Sequence, residues 1–262
     1  MKRVLVIGAN SYIGKKFNEH IQLFANEAIE IDLVSASNGS WEKVDFSSYN
    51  SILHLSAIVH MKEKETMIEL YKSINYLLPI EIANKAKDNG VKQFVFMSTL
   101  AVYGDINGCI TKETMPNPTT LYGKTKLAAE NEIIKLEDSE FKVAIIRSPL
   151  VYGEGCRGNY ERLVKFAKIA LVFPDYHNRR SHIHVNRLCN VIIDIILNKK
   201  YGYFFPQDES YADTCEIIVN IRKEMGKKTY LTSLFNKLID IFKKKFTIFR
   251  KIFGDLYYTT IS

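Results

Sequence analysis

The feature that most constrains this chain stands at its start. A continuous apolar run, Val4-Leu-Val-Ile7, is broken by Gly8 and followed by a helical stripe of Ile13, Phe17, Ile21 and Phe24. Residues apolar at consecutive positions suit a strand buried on both faces, and parallel sheets covered by helices provide that environment. Short apolar runs recur at 29–34, 52–55, 94–97 and 143–146, with helical stretches such as 69–89 and 121–136 between most of them. Strands alternating with helices predict crossover units and a parallel sheet. From Tyr152 onward the alternation loosens, with no repeat or low-complexity linker to mark a boundary. At 262 residues, 47% of them hydrophobic, the chain can bury one large core plus a small lobe.

The predicted class is therefore α/β. A Rossmann-type doubly wound parallel sheet is expected over residues 1–150, and a small C-terminal substrate lobe over 151–262, from which 176–200 return to the core. Gly8-Ala-Asn-Ser-Tyr-Ile-Gly14 lies where the first strand passes into the first helix. Holding a dinucleotide pyrophosphate needs a sharp turn there, close backbone approach and a helix N-terminus with free N–H groups. Gly8 supplies the turn and Gly14 close helix-to-strand packing; Asn10, Ser11, Tyr12 and Ile13 complete the candidate cradle. Two glycines alone fit an ordinary strand-to-helix turn equally well. Ser11 occupies the middle glycine position, where its hydroxyl can donate to phosphate. The second strand ends near Val34-Ser-Ala-Ser-Asn38, with no terminal acid for a ribose 2′-hydroxyl and no arginine for a 2′-phosphate; Asp32 falls mid-strand. NAD is the expected cofactor, with NADP left open.

Tyr122 and Lys126 lie one helical turn apart on one face, and Thr119 or Thr120 can cap that helix after Pro118. A phenol titrates near about 10 and is a poor base. A neighbouring ammonium, together with a positive nicotinamide, stabilises the phenolate and brings it toward working pH. In isolation the pair better fits an exposed helix with a packed tyrosine and a solvated lysine. Ser98 and Thr99 follow Phe94-Val-Phe-Met97 at the carboxyl end of a strand, where open sheets place their chemistry. A hydroxyl there can hold a substrate oxygen beside Tyr122, although strand-ending Ser and Thr commonly satisfy local backbone groups. Turn, hydroxyl pair and Tyr-x-x-x-Lys in this order describe a site that moves a hydride and a proton together.

A net charge of +7 raises the question of an anionic partner. No helix-turn-helix, zinc or RNA-binding signature is present, so no nucleic acid is expected; a phosphorylated small molecule suits the motifs better. Cys109, Cys156, Cys189 and Cys215 are scattered without paired spacing, which predicts no metal site and a reduced, cytoplasmic setting. The apolar run after Met1-Lys-Arg is too short for a signal peptide, and no segment is apolar enough to span a bilayer.

Together these residues resemble the extended short-chain dehydrogenase/reductase superfamily, in its NAD-dependent nucleotide-sugar epimerase/dehydratase branch. The resemblance runs from Lys2 to about residue 215. It rests on Gly8-x5-Gly14, Asp45-Phe46, His54-Leu-Ser-Ala57, Asn75, the segment Gly90 to Thr99, Val102-Tyr-Gly104, Tyr122-x3-Lys126, Arg147-Ser-Pro149, Val151-Tyr-Gly153 and Arg180-Ser-His-Ile-His-Val185. It implies that Asp45 and Phe46 meet the adenine, that Leu55, Ser56 and Ala57 line the cofactor, and that Asn75 supports the site. It further implies Thr99 as the catalytic hydroxyl with Ser98 its neighbour at the substrate, and Tyr122 as the base with Lys126 its activator and a ribose contact. Pro149 would abut the nicotinamide, Asn159 would touch substrate and Arg180 would clamp its diphosphate.

Arg147 to Gly155 and Asn178-Arg-Arg-Ser181 look like the 4-epimerases and 4-ketoreductases of bacterial surface-polysaccharide pathways. Leu150 stands where galactose 4-epimerases carry asparagine, and Leu100-Ala101 where dehydratases carry an Asp-Glu pair. The expected partner is a nucleoside-diphosphate sugar, most simply a UDP-sugar; a homodimer is left open. A 4-epimerase leads, a 4-ketoreductase of a UDP-4-keto-sugar uses the same residues, and a non-catalytic NAD(P)-binding regulator is the rival of another class. The chain ends at Ser262, earlier than extended members usually do, which implies an abbreviated or incomplete lobe. The basic, phenylalanine-rich stretch 234–253 reads either as an interfacial helix on anionic lipid or as lobe helices covering the substrate site with lysines in solvent. The second reading, without membrane contact, is preferred on sequence alone.

Overall fold

The computed structural model describes residues 1–24, 28–37, 39–59, 64–156 and 159–259, without the side chains of 159–162 and 248. Two compact units emerge: one of residues 1–104, 116–149 and 184–206, the other of 105–115, 150–183 and 207–262. The returning segment is thus 184–206 rather than 176–200, and 105–115 belong with the second unit.

The first unit holds a six-stranded sheet of β1 (Lys2–Ile7), β2 (Ile29–Val34), β3 (Ser51–His54), β4 (Gln93–Thr99), β6 (Lys142–Ser148) and β10 (Gly202–Phe204), numbered along the whole chain. Their order is β10-β6-β4-β3-β1-β2, with every pairing parallel. The chain leaves β1 for β2 on one side and returns to β3 on the other, so the topological switch point lies between β1 and β3. Leu5, Ile7, Ile52, Phe94, Phe96, Val143 and Ile145 form one core with residues of α3 (Leu78–Asp88) and α4 (Leu121–Ile133). The alternate residues Val4, Val6, Leu53, Val95, Ala144 and Ile146 are buried as well. Burial of both faces is why these strands read as unbroken apolar runs. α1 (Tyr12–Leu23) packs with α6 (Val185–Leu197), whose Leu188, Ile192 and Ile195 are buried; that apolar face draws 184–206 back to the sheet. α2 (Ile68–Lys72) runs into α3 through one π-helical stretch, Ser73–Leu77.

The second unit contains three short strand pairs: β5 (Gly108–Ile110) with β12 (Leu256–Tyr258), β7 (Leu150–Tyr152) with β9 (His182–His184), and β8 (Val172–Pro174) with β11 (Tyr230–Thr232). Its helices are α5 (Asn159–Ile169), α7 (Thr214–Glu224), α8 (Asn236–Lys245) and α9 (Thr247–Phe253). Ala167, Phe173, Cys215, Ile218, Ile239 and Phe253 lie in its core.

Candidate active site

Because all six strands run parallel, their carboxyl ends share one edge of the first unit. Gly8 follows β1, Leu55 to Ala57 follow β3, Thr99 ends β4 and Pro149 follows β6. Register brings the ends level: Ile7 pairs with His54, His54 with Phe96, and Thr99 with Ser148. At the turn Gly8 has φ +122°, a conformation side chains rarely adopt, and a Cβ there would stand 3.0 Å from the Ser56 backbone nitrogen. A Cβ on Gly14 would lie 2.4 Å from the Gly8 carbonyl oxygen, so α1 starts against the turn only because no side chain intervenes. Ser11 is the N-cap, its hydroxyl accepting from the Gly14 N–H at 3.0 Å; its own proton stays available to a phosphate oxygen. Asn10 Nδ2 donates to Ser35 Oγ at 3.5 Å beyond β2, and Tyr12 and Ile13 open the helix. A glycine turn at a switch point, leading into a helix N-terminus, fits a dinucleotide pyrophosphate.

Asn75 is buried in the π-helical stretch and holds both backbone groups of Ile58: its Oδ1 accepts from the N–H at 2.8 Å and its Nδ2 donates to the carbonyl at 3.0 Å. It thereby fixes the segment after β3 that carries Leu55, Ser56 and Ala57. Asp45 is exposed and caps the short helical turn Phe46–Ser48, accepting from the backbone and hydroxyl of Ser47. The Phe46 ring is fully buried in the core, which leaves its backbone as the part able to meet an adenine. Asp32 sits mid-strand as read from sequence, held by Arg3 at 3.0 Å and Tyr49 at 2.8 Å.

Thr120 caps α4 through the Gly123 N–H, and Gly123 allows the helix to start where a Cβ would meet the Ala101 carbonyl oxygen at 2.6 Å. This places Tyr122 in a side-chain hydrogen bond with Thr99, whose hydroxyl also accepts from the Ala101 N–H. Burial pushes the phenol up to about 12, with the Thr99 hydrogen bond pulling the other way and Tyr71 adding to the rise. Lys126 is 1% exposed, its Nζ 3.8 Å from the centre of the Phe96 ring. Burial brings its ammonium down to about 7, against the opposing pull of Glu130. The expected lowering of the phenol by the lysine is therefore not what the first unit does by itself: desolvation wins at both groups, and Thr99 is the group that favours the phenolate.

Two features were not read from sequence. Glu130, one turn beyond Lys126, is fully buried and binds Arg147 of β6 through Nη2 at 2.7 Å and Nε at 3.1 Å. Arg147 also donates to Tyr103 Oη at 2.8 Å. The Ser98 hydroxyl donates to Glu130 and is buried, so in this structure it braces that pair instead of presenting itself to a substrate. The spacing Tyr122, Lys126, Glu130 on one helix face was the available signal. His54, fully buried at the end of β3, has neither ring nitrogen hydrogen-bonded among the described residues. Its ring stands 5.7 Å from that of Phe96, and burial, then Lys126, hold its pKa down at about 3.

In the second unit, Arg180 Nη1 donates to the Gly254 carbonyl at 3.0 Å, and Asn178 Nδ2 to those of Ile252 and Gly254. Burial lowers the arginine's pKa, with Asp255 opposing. One arm of the expected diphosphate clamp thus ties down the chain before β12. The side chain of Asn159 lies outside the described residues.

Over residues 4–202 the sequence matches the NAD dependent epimerase/dehydratase family. The chain belongs to that family. Family relatives include the UDP-glucose 4-epimerase of Vibrio cholerae, 26% identical over 254 residues, 87% of this chain and 77% of that one. Another is the N-acetyl-alpha-D-glucosaminyl-diphospho-ditrans,octacis-undecaprenol 4-epimerase of Escherichia coli O157:H7, 25% identical over 86% of this chain and 73% of that one. Among solved structures, UDP-glucuronic acid 4-epimerase from Bacillus cereus in complex with NAD superimposes with a TM-score of 0.73 at 20% identity, covering 88% of this chain and 85% of that one. That likeness establishes the Rossmann-type fold of this epimerase/dehydratase-family chain.

Proposed function

We propose that the chain is an NAD(P)-dependent 4-epimerase of a nucleoside-diphosphate sugar, with UDP as the favoured nucleotide. The observation that carries the reading is the Thr99–Tyr122 hydrogen bond at the sheet edge, with Lys126 one turn further along the same helix. Two relatives that match 87% and 86% of this chain are 4-epimerases. When bound, the cofactor supplies a reversible hydride acceptor. Gly8, Ser11 and Gly14 would hold its pyrophosphate, Leu55 to Ala57 and Pro149 would line it, and Lys126 would meet its ribose. Thr99 orients the sugar 4-hydroxyl, and Tyr122 takes the proton as the carbon–hydrogen bond breaks. After the keto-sugar turns its other face, Tyr122 returns the proton to the oxygen. Asn159 and Arg180 are proposed contacts to substrate and its diphosphate.

The test is Tyr122→Phe. Removing the proton carrier should lower turnover by about 10²- to 10⁴-fold while cofactor affinity, measured by titration, stays within a factor of a few. Undiminished turnover would overturn the assignment. Identifying the nucleotide released by acid from the purified protein separates the chemistries: retained NAD(H) supports the epimerase, whereas a site that fills only with added NADPH or NADH favours a 4-ketoreductase.

A further inference from the structure

The positive charge of this chain is concentrated in one place. Residues 227–251 contain eight lysines and arginines and a single acid, Asp240, while the other 237 residues hold 28 basic and 28 acidic side chains. Three of the eight serve the second unit internally, Lys227 by donating to the Lys168 carbonyl at 3.1 Å. Lys243 bonds Tyr176 and lies 3.6 Å from Asp240, and Arg250 donates to the carbonyls of Lys243 and Lys244. Lys227, Lys228, Lys237, Lys244, Lys245 and Lys251 are exposed.

The same segment exposes large apolar side chains. Leu231, Leu234, Phe235, Leu238, Ile241 and Phe246 are each at least 44% exposed, Leu234 reaching 84%. Leu238, Ile241 and Lys245 follow helical spacing on one face of α8, with Leu234 in the turn just before it, whereas the buried residue of that helix is Ile239. The outward stripe is therefore distinct from the core-facing one, and a helix that merely covers a core carries polar residues there. The apolar surface continues onto neighbouring chain. Tyr230 pairs with Val172, its N–H donates to the Leu171 carbonyl, and Ile169, Leu171 and Val172 are 79%, 56% and 54% exposed. Cations at the end of α8 suit its dipole, but that accounts neither for Lys228 and Lys237 nor for the apolar stripe beside them.

We propose that this face of the second unit docks on an anionic phospholipid surface, with Leu234, Leu238 and Ile241 entering the interface and Lys237, Lys244 and Lys245 meeting the headgroups. Among the described residues no helix is long and apolar enough to cross a membrane, so the contact is peripheral. Charge selects this occupant over a second copy of the chain. Two such faces would set the same lysines against one another, and the one acid between them, Asp240, is already held by Tyr176 and Lys243. The inference does not depend on the proposed reaction.

The experiment is co-sedimentation of the full chain with vesicles of phosphatidylglycerol and phosphatidylcholine, and with phosphatidylcholine alone. Binding to the anionic vesicles, weakening as salt rises, is expected. The triple variant Lys237→Gln, Lys244→Gln, Lys245→Gln should weaken it roughly a hundredfold at low salt, since each lysine near an anionic surface contributes a factor of about five. Leu238→Ser with Ile241→Ser, both exposed positions, should weaken it at every salt concentration while thermal unfolding is unchanged. Protein left in the supernatant at low salt, or binding indifferent to the lysines, would overturn the proposal. So would lipid-free dimerisation abolished by the Leu238 and Ile241 changes, which would make the face an interface between copies.

Discussion

Replacing Lys126 by methionine should stabilise the first unit while disabling the site. Lys126 is 1% exposed, and burial brings its ammonium from 10.5 to about 7. At about 1.4 kcal/mol for each tenfold change in proton affinity, that drop sets a ceiling of about 5 kcal/mol on the cost of keeping the charged lysine inside. Below pH about 7 the lysine is charged in both folded and unfolded chains, and the folded chain carries the whole cost. Between about 7 and 10.5 the unfolded chain binds a proton that the folded chain lacks, so stability climbs with pH, and above 10.5 the cost is gone. Methionine keeps an apolar stem of similar length and removes the ammonium that stands over Phe96. The advantage of Lys126→Met over the parent should therefore be constant below pH 7 and shrink toward nothing near 10.5. Urea unfolding followed through Trp41, the single tryptophan and part of this core, reads the first unit directly. An advantage that does not change between about pH 7 and pH 9.5, or a variant less stable throughout, would refute the reasoning.

Arg147→Met leaves the buried Glu130 carboxylate without its ion-pair partner and should cost about 3–5 kcal/mol; adding Glu130→Gln should recover part of that in the same unfolding assay. Gly14→Ala drives a methyl to 2.4 Å from the Gly8 carbonyl oxygen. It should cost about 1–3 kcal/mol by crowding and lower NAD(H) affinity in a fluorescence titration. Asn75→Ala strips both backbone groups of Ile58 of their partner and should lower stability by about 2 kcal/mol, read by thermal unfolding with and without cofactor.

The sheet was legible because double burial writes strands as unbroken apolar runs, and a candidate site could be placed because its residues sit at strand ends and on one helical turn. Residues 121–136 were read as a helix with Thr119 or Thr120 capping it, and Thr120 caps α4 at Leu121. Residues whose role is set by neighbours far along the chain were harder to read. Ser98 and Thr99 are equivalent in sequence, but one hydroxyl reaches Glu130 and the other Tyr122, two turns earlier on α4. Arg147 sits at a strand end read for its neighbour Pro149, and nothing local tells that its guanidinium turns inward. The stretch 234–253 left two readings, an interfacial helix and lobe helices over the substrate site, because periodicity shows that a helix has an apolar stripe without showing which way it faces. In the structure Ile239 takes the core, and Leu234, Leu238 and Ile241 are left outside.

The π-helical stretch that carries Asn75 has a consequence for how this chain can change. Such a stretch contains one residue more than the α-helix it interrupts. Deleting Ser73, Ile74, Tyr76 or Leu77 would let the helix close up as regular α, turning everything before the deletion by about 100° relative to everything after it. Tyr71, 1% exposed and acting on Tyr122, would swing away from α4 although no residue of the site had been altered. The phase of this helix is thus kept by a count of residues, and a lineage can exchange side chains on its outer surface far more freely than it can lose one of them.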